Sequence, residues 1–449
     1  MTRKNRKRPP KARRATVPTA PAEPMEQIIT ESEFLPYVQS QSQSFFKLAN
    51  FLLASRQDSW AENHLFSLST EANALETFLD DFSARNNKSF SYFTELVASI
   101  RGFANAAHAL HHLRRRLSKY DMNSASIDKF SKALQSAVNW TDGSIASLIS
   151  ELYKECANKK VPIAKEAVGE TSFPRAFAKL RLPRNVDEED VADEEQRIAE
   201  VASKYLKICD IVDNLGIEKV DDPIRLRHLV SRNYGEEKAR QYETHVHNLQ
   251  SKYDTYIKNT AFEANDPNLK KLRGYISTTL HLLEYVTHLV HFYERHENDI
   301  RYEPTQQRVS KIVSKVEVLD HAVNFGLYYA AYFLREGRTT ALVIFPNYTK
   351  LKEVVLDVPS HVELHLRPAT LISKVANHYG TPVQMQIGDG DWVDTASLMR
   401  VVVEIGMNVG ARKVSFRGDQ KALRDLKTLF ECGFGEGDHE FPAQLEYLK

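Results

Sequence analysis

From about Glu31 to Glu336, apolar residues recur at three- and four-residue spacing, as in Phe45, Leu48, Phe51 and Leu52, or Leu75, Phe78, Leu79 and Phe82. That spacing gathers them on one face of a helix and scatters them over both faces of a strand. Glycine is scarce through this stretch and strand-like alternation is essentially absent, so residues 26–335 are expected to form an all-helical domain. Long helices are predicted from Tyr92 to Tyr120, with Leu96, Ile100, Phe103, Ala107 and Leu110 on one stripe, and from Ser126 to Ala157. Further helices are predicted from Gln196 to Asn214, Asp221 to Asn259 and Asn268 to Asp299. Asp221-Asp222-Pro223 is a good helix start, a cap ahead of an early proline. The simplest architecture is an antiparallel bundle, or two bundles joined at the acidic connector Asn185 to Glu195. Ile100-Arg101-Gly102-Phe103, ahead of His108, His111 and His112, loosely parallels Leu272-Arg273-Gly274-Tyr275, ahead of His281, His288 and His291. Chance accounts for so few shared residues at least as well as a duplicated unit does.

The texture changes near Thr339. Thr340-Ala341-Leu342-Val343-Ile344-Phe345 is β-branched and apolar and is closed by Pro346-Asn347, which reads as a strand. Strands and helices then alternate. Strands are predicted at Val354 to Val358, Val383 to Ile387 and Lys413 to Arg417, with a tight hairpin turn at Gly388-Asp389-Gly390-Asp391. Helices are predicted at Arg367 to Tyr379, Thr395 to Ile405 and Asp419 to Cys432, the last closed by Gly433. The order βαββαβα implies an open-faced sandwich over 340–449, one antiparallel sheet with helices on one face and a core in 352–436. The fold class expected is therefore a large helical bundle followed by an α+β unit.

Composition excludes several classes. A chain of 449 residues exceeds one ordinary core, so several domains are expected. Net charge is +1, which gives no reason to expect nucleic acid as a partner of the whole chain. The exception is residues 1–25. Eight Lys or Arg, five prolines and the single acid Glu23 lie within its first 24 residues, a composition expected to be disordered. It reads as a solvated tail or as a tether to an anionic surface. Cys156, Cys209 and Cys432 are odd in number and far apart, which suits a reducing cytoplasm and no disulfide framework. No apolar run reaches the ~20 residues a spanning helix needs, and no apolar run follows the basic start as a secretory signal would require.

Four motifs in order fall within the α+β unit: His365-Leu366-Arg367-Pro368-Ala369 before its first helix, Ala396-Ser397-Leu398-Met399 at its second, Gly406 and Gly410 flanking Met407-Asn408-Val409, and Gly433-Phe434-Gly435-Glu436 after its third. Together with the element order they resemble the HPr family of histidine phosphocarriers. The resemblance covers about a fifth of the chain and does not extend to residues 1–335. It implies that His365 accepts a phosphoryl group from an Enzyme I-type phosphotransferase and hands it to a downstream acceptor protein, with no cofactor. It implies that Arg367 clamps the phosphate and that Pro368 sets the helix start. Ser397 stands where the family can carry a regulatory phosphoserine, although a serine opening a helix is also a cap. Thr370, Lys374, Met399, Arg400 and Val403 stand where the family docks its partners. Val362-Glu363 departs from the small, turn-forming pair usual before the histidine, and a carboxylate there would repel a phosphohistidine. Leu366 also replaces a commonly smaller residue.

The chemistry stands without the family. Neutral imidazole titrates near ~6.5 and keeps one nitrogen free to accept and release a phosphoryl group. A helix N-terminus and a guanidinium beside it favour the dianion formed. The competing reading is an interaction module that is never phosphorylated, with the helical domain binding the target.

A third reading makes the helical domain a metal enzyme. His281, Glu284, His288 and His291 fall within ~80° on one helix face, with His108, His111, His112, His245 and His247 as conceivable further ligands. Leu282, Tyr285, Leu289 and Phe292 lie between them, so a polar stripe without metal is the favoured expectation.

Overall fold

The computed structural model describes residues 28–173, 194–295, 303–436 and 441–449. The expected basic tail 1–25 and most of the connector 185–195 lie outside the described residues.

The first helices are α1 (Glu31–Gln41), α2 (Gln43–Ala54), α3 (Glu62–Asp81), α4 (Ser91–Arg116) and α5 (Ser124–Lys159). Next come α6 (Glu194–Asn214), α7 (Pro223–Asn233), α8 (Glu236–Tyr256), α9 (Ala261–Asn265) and α10 (Pro267–Glu294). The helical part ends with α11 (Glu303–Ser310), α12 (Lys315–Asp320), a π-helical turn His321–Leu327 and α13 (Tyr328–Asn347). Local chemistry sets the starts. Thr30 opens α1 with a capping box, its hydroxyl accepting the Glu33 N–H and its own N–H donating to Glu33. Asp222 accepts the Ile224 N–H at 2.9 Å just ahead of Pro223, as the sequence leads one to expect.

α4 and α10 lie against each other at the centre. α3 and α5 flank α4, while α8 and α13 flank α10, and α6 packs on α13. Both central helices are buried over most of their surface, which fits a helix surrounded by protein. The two loosely parallel segments, at Ile100 and at Leu272, lie on this central pair. One continuous hydrophobic core runs from Phe34 to Ile344, so helices on both sides of the connector share it.

Two helical expectations need correction. Thr340–Phe345 is not a strand but the last turns of α13. Thr340, Ala341 and Ile344 are buried while Leu342 and Val343 are exposed, a three- and four-residue spacing rather than alternation. Packing of α13 on α6 and α10 overrides the β propensity of those residues. The helix expected from Asp221 to Asn259 is broken in two at Gly235. A β-carbon there would stand 2.8 Å from Glu294 Oε1, and the next N–H, of Glu236, donates to that oxygen at 2.9 Å.

The C-terminal unit contains β1 (Leu351–Asp357), α14 (Leu366–Tyr379), β2 (Val383–Gln386), β3 (Val393–Asp394), α15 (Leu398–Met407), β4 (Lys413–Asp419) and α16 (Gln420–Glu431). The order is βαββαβα. All pairings are antiparallel and the strands lie in the order β1-β4-β2-β3. Val355 faces Ser415 and Met385 faces Phe416. Alternate residues Val383, Met385, Val414 and Phe416 turn inward to meet Ile372, Val375, Leu426 and Phe430 of α14 and α16. This second core shares no buried residue with the first. α15 starts three residues later than expected, because Thr395 is spent on β2: its N–H and its hydroxyl both donate to the Val383 carbonyl, at 3.0 and 2.7 Å. No described helix is long and apolar enough to cross a membrane.

Candidate functional site at the N-terminus of α14

His365 is the residue that caps α14. Its backbone is extended, and Nδ1 accepts the backbone N–H of Arg367 at 3.3 Å. The other ring nitrogen, Nε2, stands 3.0 Å from Glu436 Oε1, and the side chain is 52% exposed. A carboxylate accepts only, so Nε2 carries the proton and Nδ1 holds the lone pair at the helix N-terminus. The nitrogen that holds the lone pair is thereby assigned by two contacts, one from the helix and one from the turn after α16.

Three successive residues with positive φ bring Glu436 there. α16 ends at Glu431, and Gly433 (φ 59°), Phe434 (φ 58°) and Gly435 (φ 64°) turn the chain back. Left-handed backbone is ordinary for glycine but costs a residue such as phenylalanine. Burial of the Phe434 ring against Phe430, centroids 4.8 Å apart, holds it in place. The Gly435 carbonyl accepts from an Arg367 Nη at 3.1 Å. Arg367 is therefore parked on the same turn that holds Glu436. Pro368 is buried in the first turn, where its missing N–H leaves no intrahelical bond unmade.

The remaining expected site residues divide. Met399 is 73% exposed and Val403 50%, with Arg400 exposed between them, so α15 presents an open apolar and basic stripe. Met407, 70% exposed, continues it one turn on. Thr370 is half-buried and its hydroxyl donates to the Leu366 carbonyl. The Lys374 ammonium donates to the Leu448 carbonyl at 3.1 Å, so it anchors the C-terminal segment instead of standing free. Ser397 occupies the N-cap position of α15, yet its hydroxyl makes no capping hydrogen bond. Its expected cap role is thus corrected. The Asp394 side chain serves the turn ahead of it by accepting the Ala396 N–H. Glu363 is exposed and makes no ion pair among the described residues. Glu436, the His365 partner, had no role assigned from sequence. Its signal was present in the Gly433–Glu436 motif, but only the fold brings its carboxylate to the ring.

Two imidazoles of the histidine stripe in the helical part, His281 and His291, each face a carboxylate. His281 Nδ1 lies 2.7 Å from Glu284 and its ring lies tilted, 4.2 Å from that of His112, whose Nδ1 lies 2.9 Å from Glu62. Burial works to raise the Glu62 carboxyl, but His112 and Arg115 override it and hold it at about 2. Among the described residues no group of three or more His, Cys, Asp or Glu side chains is arranged to hold a metal ion. No protein family, curated protein or solved structure matches this chain.

Proposed function

We propose that the C-terminal unit is an HPr-like phosphocarrier in which His365 Nδ1 accepts a phosphoryl group from an Enzyme I-type donor and passes it to a protein acceptor, in a cytoplasmic and regulatory setting. The observation that carries this reading is the imidazole held between the Arg367 N–H and the Glu436 carboxylate. The sandwich order and the β1-β4-β2-β3 sheet support an HPr-like fold for the unit.

The chemistry follows from those contacts. The Nδ1 lone pair attacks phosphorus, an Nδ1–P bond forms, and the donor's bond to phosphorus breaks. Once the lone pair is engaged, the Arg367 N–H loses its acceptor and is free to serve a phosphoryl oxygen at the helix N-terminus. The Arg367 guanidinium can exchange the Gly435 carbonyl for a second oxygen, a stronger, charge-assisted bond. Glu436 keeps Nε2 protonated, and its negative charge stabilises the positive ring that develops during attack. A ring-protonated phosphoimidazole then leaves as neutral imidazole when an acceptor attacks. Fusion to a large helical part supports a regulatory carrier over bulk sugar uptake.

The test is transfer of labelled phosphate from phosphorylated Enzyme I to the full-length chain, with His365→Ala alongside. Acid-labile, base-stable label on the unmodified chain alone is the expected result. Label that persists in His365→Ala, or none from any competent donor, rejects the carrier and leaves the interaction module, which would use the exposed stripe on α15.

A further inference from the structure

The faces of α6 and α8 that meet do not close. Lys204, Lys207, Ile208 and Ile211 on α6 oppose His245, Asn248, Leu249 and Lys252 on α8, each set at the i, i+3, i+4, i+7 spacing of one helix face. Two helices in contact ordinarily fill such a seam with apolar side chains. Here the seam opens into a pocket of about 290 Å³, at the lower edge of the range of small-molecule sites. Ile208, Ile211 and Leu249 form an apolar floor. Ile208, Ile211 and His245 also line a narrow apolar crevice below it, between α6, α8, α10 and the start of α13.

The charge at this pocket is one-sided. No acidic residue lines it. Lys204 and Lys252 are both half-buried and both stand on one oxygen, Glu200 Oε1, at 2.7 and 2.6 Å. The same carboxylate also holds Arg197 at 3.3 Å. Lys207 has no ion-pair partner among the described residues. One carboxylate thus serves three cations beside a fourth that has none, and a surplus of more than one positive charge remains. Burial pulls the Lys204 ammonium below its ordinary value, while the hydrogen bond to Glu200 overrides burial at Lys252 and holds its ammonium above it.

We propose that the α6–α8 pocket binds a small organic phosphate, with the phosphate on Lys204, Lys207 and Lys252 and the apolar part on Ile208, Ile211 and Leu249. The surplus selects a dianion over a carboxylate. Ammonium groups bind phosphate as point charges without demanding a fixed fork geometry. The apolar floor selects an organic ester over the free ion. This inference is independent of the carrier reading, since none of these residues belongs to the α14 site.

The experiment titrates the full chain with 1-naphthyl phosphate, followed by its fluorescence, beside 1-naphthol, 1-naphthoate and inorganic phosphate. Saturable binding of the naphthyl phosphate, weakened about tenfold in Lys207→Ala and in Lys252→Gln, is expected. Ile211→Ala, on the exposed rim of the floor, should weaken the ester and leave inorganic phosphate unchanged. Thermal melting confirms that each variant is folded, and Lys207 is exposed enough to be replaced without disturbing the core. The proposal is overturned by absence of saturable binding, by binding indifferent to both lysine variants, or by naphthol binding as tightly as its phosphate. Inorganic phosphate or naphthoate binding as tightly as the ester overturns it as well.

Discussion

His365 Nε2 and Glu436 Oε1 stand 3.0 Å apart, and that contact decides which nitrogen of the ring is free. Loss of the carboxylate frees the ring to rotate and, on the carrier reading, removes the charge opposite the developing imidazolium. Glu436→Ala is expected to slow His365 phosphorylation about ten- to a hundredfold, with Glu436→Gln retaining more of the rate because the amide oxygen still accepts from Nε2–H. Initial labelling rates measure this, and nitrogen chemical shifts of His365 should report the Nε2–H tautomer in the unmodified chain and a mixture in Glu436→Ala.

The stripe on α15 makes a different demand. Met399→Asp and Val403→Asp put charge on an apolar surface that is already exposed, so stability should change by no more than about 0.5 kcal/mol. Transfer from the donor should fall about tenfold, chiefly through a raised KM, because docking and not chemistry is disturbed. A fall in kcat with KM unchanged would contradict the docking role.

Acid should destabilise the helical core before the carboxylates are reached. Burial holds His288 and His321 neutral, each pulled down to about 4. An unfolded imidazole titrates near ~6.5, so the contribution of each is whole above that pH and is lost as pH falls from ~6.5 through about 4. Each is worth roughly 3 kcal/mol at the acid limit by that linkage. His321 stacks on Trp140 at 3.9 Å and its buried Nδ1 has no hydrogen-bond partner. His321→Phe keeps the stacking and should flatten the loss, which melting temperatures between pH 7 and pH 4.5 will show.

Glu95 acts in the opposite sense. Burial pushes its carboxyl up to about 7, against the pull of Arg85 at 3.5 Å. The folded state prefers the neutral acid, so its contribution is full below the unfolded value and is lost as pH rises through about 7. The linkage corresponds to roughly 3 kcal/mol between those limits. Glu95→Gln should therefore gain stability on the unmodified chain from pH 5 to pH 8, as read by denaturant midpoints. A constant difference across that range would rule this out.

Gly337 tests the packing of α13 on α6. A β-carbon there would overlap the Tyr205 hydroxyl, which donates to the Phe333 and Leu334 carbonyls at 3.2 and 3.1 Å. Gly337→Ala should cost about 1–3 kcal/mol, and Tyr205→Phe in the same chain should recover part of it. Denaturation of the four forms gives the coupling.

What could be read in advance followed the range of the physics involved. The βαββαβα order and the place of His365 just ahead of a helix N-terminus are set within a few residues, and both were legible; that its ring caps the helix was not. Thr340–Phe345 was misread because β-branched residues favour strands only when nothing else decides, and here α6 and α10 decide. Gly235 was passed over because one glycine in a helical pattern signals a break only when a partner such as Glu294 is known to press on it. Glu436 and the lysines of α6 and α8 were invisible as sites, since their meaning depends on partners many residues away. Ser397 shows the converse failure: a residue type suited to capping stands at the cap position and leaves the bond unmade.

The two hydrophobic cores, one ending at Ile344 and the other beginning at Leu356, have a bearing on descent. A substitution that loosens one leaves the other's packing intact, so each part answers to selection on its own terms. Each part is free to change in sequence at its own pace, and a lineage could exchange either for another without rebuilding the core of the one it keeps.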